Sequence, residues 1–257
     1  MRIVFSILFL LTMKFLYAVS VGNISIPSLL QEGVLFSDEN WFNFRVGYEH
    51  SYIVDRKLRF AKRLQKQGFS MEKVKGQMNL ASLALNIMER FDAYGKFGES
   101  YYSPTFYQNN ILYELQSSYG GYYYGGFRLV LWEVKDTSFG FEGGYGFFRS
   151  GTKFFYENQF PIDGVDFGFF SREWYINAGA SHKMGCFIPY FAVSVCDIKA
   201  KIKRTHFFNK KQLRLDDREK TGYFLGVSFT RSSFFFLNAE AHFYNERSYS
   251  ISGAMRF

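Results

Sequence analysis

The chain alternates between apolar and polar positions with a period of two. Near its end, Tyr249, Ile251, Gly253, Met255 and Phe257 fall on one side and Ser250, Ser252, Ala254 and Arg256 on the other. Successive side chains of a strand point to opposite faces, so this segment predicts a strand with one greasy and one wet side. The pattern recurs. Phe42, Phe44, Val46 and Tyr48 oppose Asn43, Arg45, Gly47 and Glu49. Phe91, Ala93, Gly95 and Phe97 oppose Asp92, Tyr94 and Lys96. Similar stretches lie near 79–89, 126–131, 139–147, 173–181, 187–195, 222–229 and 237–243, which makes ten predicted strands.

The connections alternate as well. Short turns fall near Glu89-Arg90, Val134 to Asp136, Lys183 to Gly185 and Arg231-Ser232. Longer segments cover 55–78, 99–121, 150–170 and 199–220. Short turns at one end and long loops at the other are the pattern of outer-membrane barrels. With both termini on the short-turn side, every long segment falls outside, together with the short connection near 244–247.

Composition agrees with this. Aromatics make up 21% of the chain, with 33 Phe and 19 Tyr but 4 Pro, a bias toward strands and aromatic girdles. After the first residues, no stretch approaches the roughly 18 apolar residues of a spanning helix. In a membrane such a chain must close into a barrel to satisfy its backbone. A soluble sandwich or lipocalin-like barrel also alternates. Here the polar faces are rich in Gly, Ser and Ala, which suits a confined lumen, and the apolar faces are aromatic, which suits lipid. The expected fold is an all-β, antiparallel transmembrane β-barrel over residues 21–257, of ten to twelve strands with sixteen as the upper bound. Residues 1–20 read as a signal peptide: Arg2, an apolar run from Ile3 to Leu11, and Ala18-Val19-Ser20 before the cut.

The net charge of +8 is unevenly placed. Residues 56–75 hold eight Lys and Arg against Glu72, and residues 199–220 hold nine against Asp216, Asp217 and Glu219. Both segments are predicted outside. Arg59, Lys62, Arg63, Lys201, Lys203, Arg204, Lys210 and Lys211 are therefore candidates to contact polyanions, either lipopolysaccharide phosphates or sulfated host glycans. Solvated loops that keep the rim soluble are the plainer alternative. The inward faces carry Arg45, Lys96, Arg128 and Arg256 against Glu49, Asp92, Glu142, Glu173 and Glu240. These nine are candidate pore-lining residues of near-neutral balance, or else ion pairs that stiffen a narrow interior. About eight strands are filled by side chains and sixteen to eighteen leave a channel, so ten is tight.

Several segments resemble the major outer membrane porin family of chlamydiae. They are Val21 to Leu29, Phe44 to Arg56, Leu83 to Asp92, Leu131-Trp132-Glu133, Glu173-Trp174, and Ala239 to Arg247 followed by Ser252 to Phe257. They occur in the family's order. The last strand, with Tyr249, Met255 and terminal Phe257 on one face, also resembles the assembly signal of bacterial outer-membrane barrels. The resemblance implies an integral outer-membrane barrel that passes small solutes by passive diffusion, supports the envelope, self-associates as a homo-oligomer and faces the host with variable loops. The alternative function is a structural or adhesive barrel that binds polyanionic glycans or lipopolysaccharide. Family members are longer and cross-linked through many cysteines, whereas this chain has only Cys186 and Cys196. Ten residues apart on one strand, these two would be ~33 Å apart, far beyond the ~7 Å reach of a disulfide. Intermolecular pairing and two free thiols both stay open.

Enzymatic signals are weak. His50, His182, His206 and His242 show no metal-ligand spacing and no GxSxG is present. Glu240 and His242 share a face and read as a hydrogen-bonded pair. The expectation is no enzyme, no cofactor or metal, and no nucleic-acid partner, with lipid, lipopolysaccharide and small solutes as partners.

Overall fold

The computed structural model describes residues 22–24, 26–29, 41–203, 208, 212–232 and 234–257. The expected signal peptide lies outside the described residues. Among the described residues fourteen strands form: β1 (Phe42–Arg56), β2 (Leu58–Phe60), β3 (Phe69–Ile87), β4 (Phe91–Gln108), β5 (Ile111–Ser117), β6 (Gly120–Val134), β7 (Thr137–Glu157), β8 (Phe160–Pro161), β9 (Gly168–His182), β10 (Phe187–Lys203), β11 (Gln212–Asp217), β12 (Thr221–Ser232), β13 (Phe235–Phe243) and β14 (Glu246–Arg256).

Ten of them close a ring in chain order, each antiparallel to the next: β1, β3, β4, β6, β7, β9, β10, β12, β13 and β14. The last strand returns to the first, with Arg256 opposite Arg45 and Tyr249 opposite Tyr52. Beyond it, Phe257 and Phe44 exchange backbone hydrogen bonds of 2.8 and 3.4 Å. Closure leaves no free edge in the ring. The fold is thus an all-β antiparallel barrel of ten strands, with short turns at one end and longer connections at the other.

The long connections are shorter than the sequence predicts. β3 begins at Phe69, β4 runs to Gln108, β7 to Glu157 and β10 to Lys203. The alternation continues there but its chemistry turns inside out. Along β10, Phe191, Val193 and Val195 point outward and are exposed, while Tyr190 and Ser194 point in. Past Cys196 the outward positions become Asp197, Lys199, Lys201 and Lys203, and the buried ones Ile198, Ala200 and Ile202. The same barrel wall therefore faces two different surroundings. Its lower storey, toward the short turns, is apolar outside and polar inside. Its upper storey is polar outside and apolar inside.

The upper storey is capped by the remaining strands. β5 pairs with β4 and β7, β8 with β7, and β11 with β10 and β2. A helical turn at Lys62–Gln65 follows β2. Together they enclose one apolar core that includes Phe60, Phe69, Phe106, Phe155, Leu213 and Leu215. The Phe208 ring packs against Phe69, Phe106, Tyr113, Phe155 and Phe167 at 5.1–6.0 Å between centroids, spacings at which aromatic pairs add to burial energy.

Candidate functional site

The nine lumen candidates all point inward and are buried. Near the short-turn end, Arg45 pairs with Asp92. Asn86 links this pair to Asn43, accepting from it at 2.9 Å and donating to Asp92 at 2.7 Å. One step higher, Lys96 reaches Glu49 at 2.8 Å and Arg128 reaches Glu142 at 3.3 Å. The Arg128 guanidinium also lies 4.4 Å from the Tyr94 ring centroid, and the Tyr94 hydroxyl donates to Glu142. Glu240 accepts from Tyr190 at 2.6 Å and sits 2.5 Å from His242, the pairing that their spacing predicts. Arg256 contacts Glu89 at 3.5 Å at the turn end. Glu173 takes Arg56 at 2.7 Å and the Tyr122 hydroxyl at 2.5 Å.

Two contributors to this lumen are missed by the alternation. Arg56 reads as a loop cation, yet it is buried between Glu173 and Glu246 beneath the apolar core. It sits at the end of β1, where the sequence shows a run of basic residues and no face. The second is the segment before β1. Asn23, Ile24 and Ile26 are buried. The Gly22 amide donates to Glu240 at 3.0 Å and Asn23 donates to Ser228 at 3.1 Å. The Ile26 carbonyl accepts from Arg45 at 2.9 Å. This segment is a plug threaded into the lower lumen. Beside it a cavity of about 50 Å³ remains, bordered by Arg45, Glu49, Lys96 and Arg128.

Glycines make room for the inward tyrosines. A side chain at Gly226 would lie 2.1 Å from the Tyr190 ring, and one at Gly144 would lie 1.9 Å from the Tyr124 hydroxyl. Each tyrosine lies over a neighbouring strand's glycine, and the lumen is filled rather than lined.

The outer wall carries the second candidate site. The two basic segments are far apart in sequence, but β11 joins them, with Asp216 opposite both Lys199 and Arg59 and Arg214 opposite Lys201. Arg59, Lys62, Arg63 and Lys203 are exposed and Lys201 is half-buried. Arg204, Lys210 and Lys211 lie outside the described residues. β9 extends the patch with Arg172 opposite Lys199, and β7 adds exposed Arg149 opposite Phe170. On the buried side of the same sheet, Asp217 accepts from the Ile198 amide. Burial raises its carboxyl to about 7 despite that bond and the nearby Arg56.

No family model matches the chain, and no curated protein does. Among solved structures it is similar to the outer membrane protease OmpT of Escherichia coli, at 11% identity over 84% of this chain and 96% of that one, with a TM-score of 0.46. It is similar to the translocator domain of the autotransporter NalP of Neisseria meningitidis at 10% identity, over 86% and 90% of the two chains, TM-score 0.40. For the outer membrane protein OprG of Pseudomonas aeruginosa the values are 12%, 84%, 95% and 0.34. The barrel rests on its own strand pairing.

Tyr249, Met255 and Phe257 share the outward face of the closing strand, with Met255 exposed. Cys186 and Cys196 are both free within the monomer, the first half-buried beside a short turn and the second buried on β10.

Proposed function

We propose that this chain is an integral barrel of the bacterial outer membrane whose work is structural and adhesive. It would hold a folded, cation-rich head outside the membrane, where acidic glycans or lipopolysaccharide bind. The observation that carries this reading is the lumen. Its charges are taken up by partners within the barrel, on the same, adjacent or more distant strands, and an apolar core lies above them. Water-filled passages need polar, solvated walls, and a buried ion pair does not give up its partner cheaply. The aromatic belt supports the membrane placement, because exposed Phe, Tyr, Trp, Leu and Val encircle the lower storey. Membership of the chlamydial porin family belongs to the same proposal and rests on the ordered sequence segments.

A second reading is a small-solute channel of the porin kind. The cavity bordered by Arg45, Glu49, Lys96 and Arg128 favours it, since both charge signs meet there. Planar-bilayer recording separates the two. The structural reading expects the intact protein to insert without discrete conductance steps, and regular single-channel steps from the wild type would replace it with the channel. Retention on heparin should fall when Arg59, Lys201 and Arg214 are reversed to Glu. Unchanged retention would remove the adhesive part.

A further inference from the structure

Two hollows in the outer wall meet along one strand. The lower one lies in the aromatic belt, where Gly95 and Gly125 face each other across β4 and β6. A side chain built at Gly125 meets nothing within 4 Å, and one at Gly95 comes no closer than 3.8 Å to its surroundings. The missing side chains leave a groove of about 490 Å³ walled by Phe97, Tyr123, Tyr145 and Phe147. The upper hollow lies just above the belt, where Gly151 faces Gly168 across β7 and β9. It measures about 420 Å³ and is lined by Arg149, Lys203, Phe170 and Tyr119, with Asp166 the one acid. Side chains built at Gly151 and Gly168 would come no nearer than 3.7 Å to other atoms, so this wall is open by composition.

The outward face of β7 joins the hollows: Tyr145 and Phe147 wall the groove, and Arg149 and Gly151 border the notch. Two residues along a strand advance about 7 Å, so an apolar trough runs directly into a cationic one. Two cations lie over the Phe170 ring. Arg172 lies 5.2 Å and Lys203 5.3 Å from the Phe170 ring centroid. Arg172 is paired across strands with Phe147 on one side and Lys199 on the other.

We infer that these hollows form one site for a phosphorylated lipid of the outer leaflet. Its acyl chain lies in the Gly95–Gly125 groove, and its phosphate sits between Arg149 and Lys203 over the Gly151–Gly168 backbone. The inference rests on the membrane placement proposed above and names the partner of one part of the basic wall. A soluble polyanion would need the cations alone. The apolar trough beneath them, at acyl-chain depth, points to a lipid. Basic residues at the membrane surface attract anionic headgroups, and Phe170 and Tyr119 offer flat faces to a sugar.

The test uses the full-length protein in a non-ionic detergent, with native mass spectrometry reading bound probe. The probes are diphosphoryl lipid A, its dephosphorylated form and its deacylated, phosphorylated disaccharide. Folding of each variant is checked by heat-modifiable gel migration. The wild type should retain one diphosphoryl lipid A and bind the other two at least about tenfold more weakly, the scale of one charge-assisted contact. Arg149→Glu with Lys203→Glu should lose the lipid, as should Gly125→Trp, which fills the groove and leaves every charge in place. Gly125→Trp should keep wild-type retention on heparin, so a failure of the lipid site is distinct from a failure of the adhesive reading. Equal binding of the deacylated probe would overturn the inference in favour of a soluble-polyanion site. Equal binding of the dephosphorylated probe, or undiminished lipid in a folded Gly125→Trp variant, would overturn it as well.

Discussion

Arg56 shows how a single side chain ties the two storeys together. It pairs with Glu173 and Glu246, and it donates to the Tyr102 hydroxyl at 3.2 Å. Arg56→Ala leaves two buried carboxylates without their cation, a change that costs about 3–5 kcal/mol in comparable buried pairs. A urea titration in detergent should show that loss, and Arg56→Ala combined with Glu173→Gln and Glu246→Gln should recover part of it. Gly226 is constrained differently. Gly226→Val pushes a branched side chain into the Tyr190 ring, and overpacking of this kind costs roughly 1–3 kcal/mol. The combination with Tyr190→Leu should be milder than Gly226→Val alone, measured by the same titration. Asp217 supplies a pH signature. Its carboxyl stands at about 7 in the fold against an ordinary 3.8. The unfolded chain therefore gives up this proton first, and stability falls as pH rises from about 4 to 7. Hydrogen exchange at the Ile198 amide should quicken across that window beyond its intrinsic pH dependence. Asp217→Asn should flatten the excess.

At the scale of elements, the ten ring strands were legible because lipid outside and a polar lumen inside impose strict alternation. Leu83, Trp174, Val193 and Leu225 announced their faces. The extension of β3, β4, β7 and β10 was not legible. Where Val195 gives way to Lys199, the apolar residues move to the other face, and in the sequence that reversal reads as the end of a strand. β2, β5 and β8 were hidden for a related reason. They are short, and they are defined by the core they cover rather than by a pattern of their own. The plug residues 22–24 and 26–29 fall within the family-like stretch Val21 to Leu29, but nothing in its composition marks it as lumenal. Its removal is the clearest test at this scale. A chain lacking residues 22–29 leaves Glu240 and Arg45 without the Gly22 and Ile26 contacts. It should show brief conductance bursts in planar bilayers, where the full chain is expected to give none. Silence from the shortened barrel would assign closure to the upper apolar core instead.

At the scale of the whole molecule, the candidate lumen was legible as a set of residues and not as a state. Alternation assigned Arg45, Glu49, Asp92, Lys96 and Glu142 to the interior, yet one sequence cannot say whether facing charges reach each other. The distances decide that: Lys96 and Glu49 lie 2.8 Å apart. The outer basic wall depended even more on topology, since Arg59 and Lys201 become neighbours only through β11. Arg149 on β7 and Arg172 on β9 join the patch only through strand pairing.

The inside-out switch along β10 works as a waterline. From Phe187 to Val195 the outward positions are exposed and apolar, and from Asp197 they are charged. Nine residues of a strand tilted by about 35–45° stand only about 20–25 Å tall. A draught marked this sharply fixes how deep the protein can ride. Sinking by one residue pair would drag Asp197 and Arg172 into hydrocarbon. Riding higher by the same step would lift Phe147 and Val195 into water. The barrel should therefore be choosy about bilayer thickness. Its melting temperature, measured across phosphatidylcholine vesicles of increasing chain length, should peak in the thin bilayers and decline on either side.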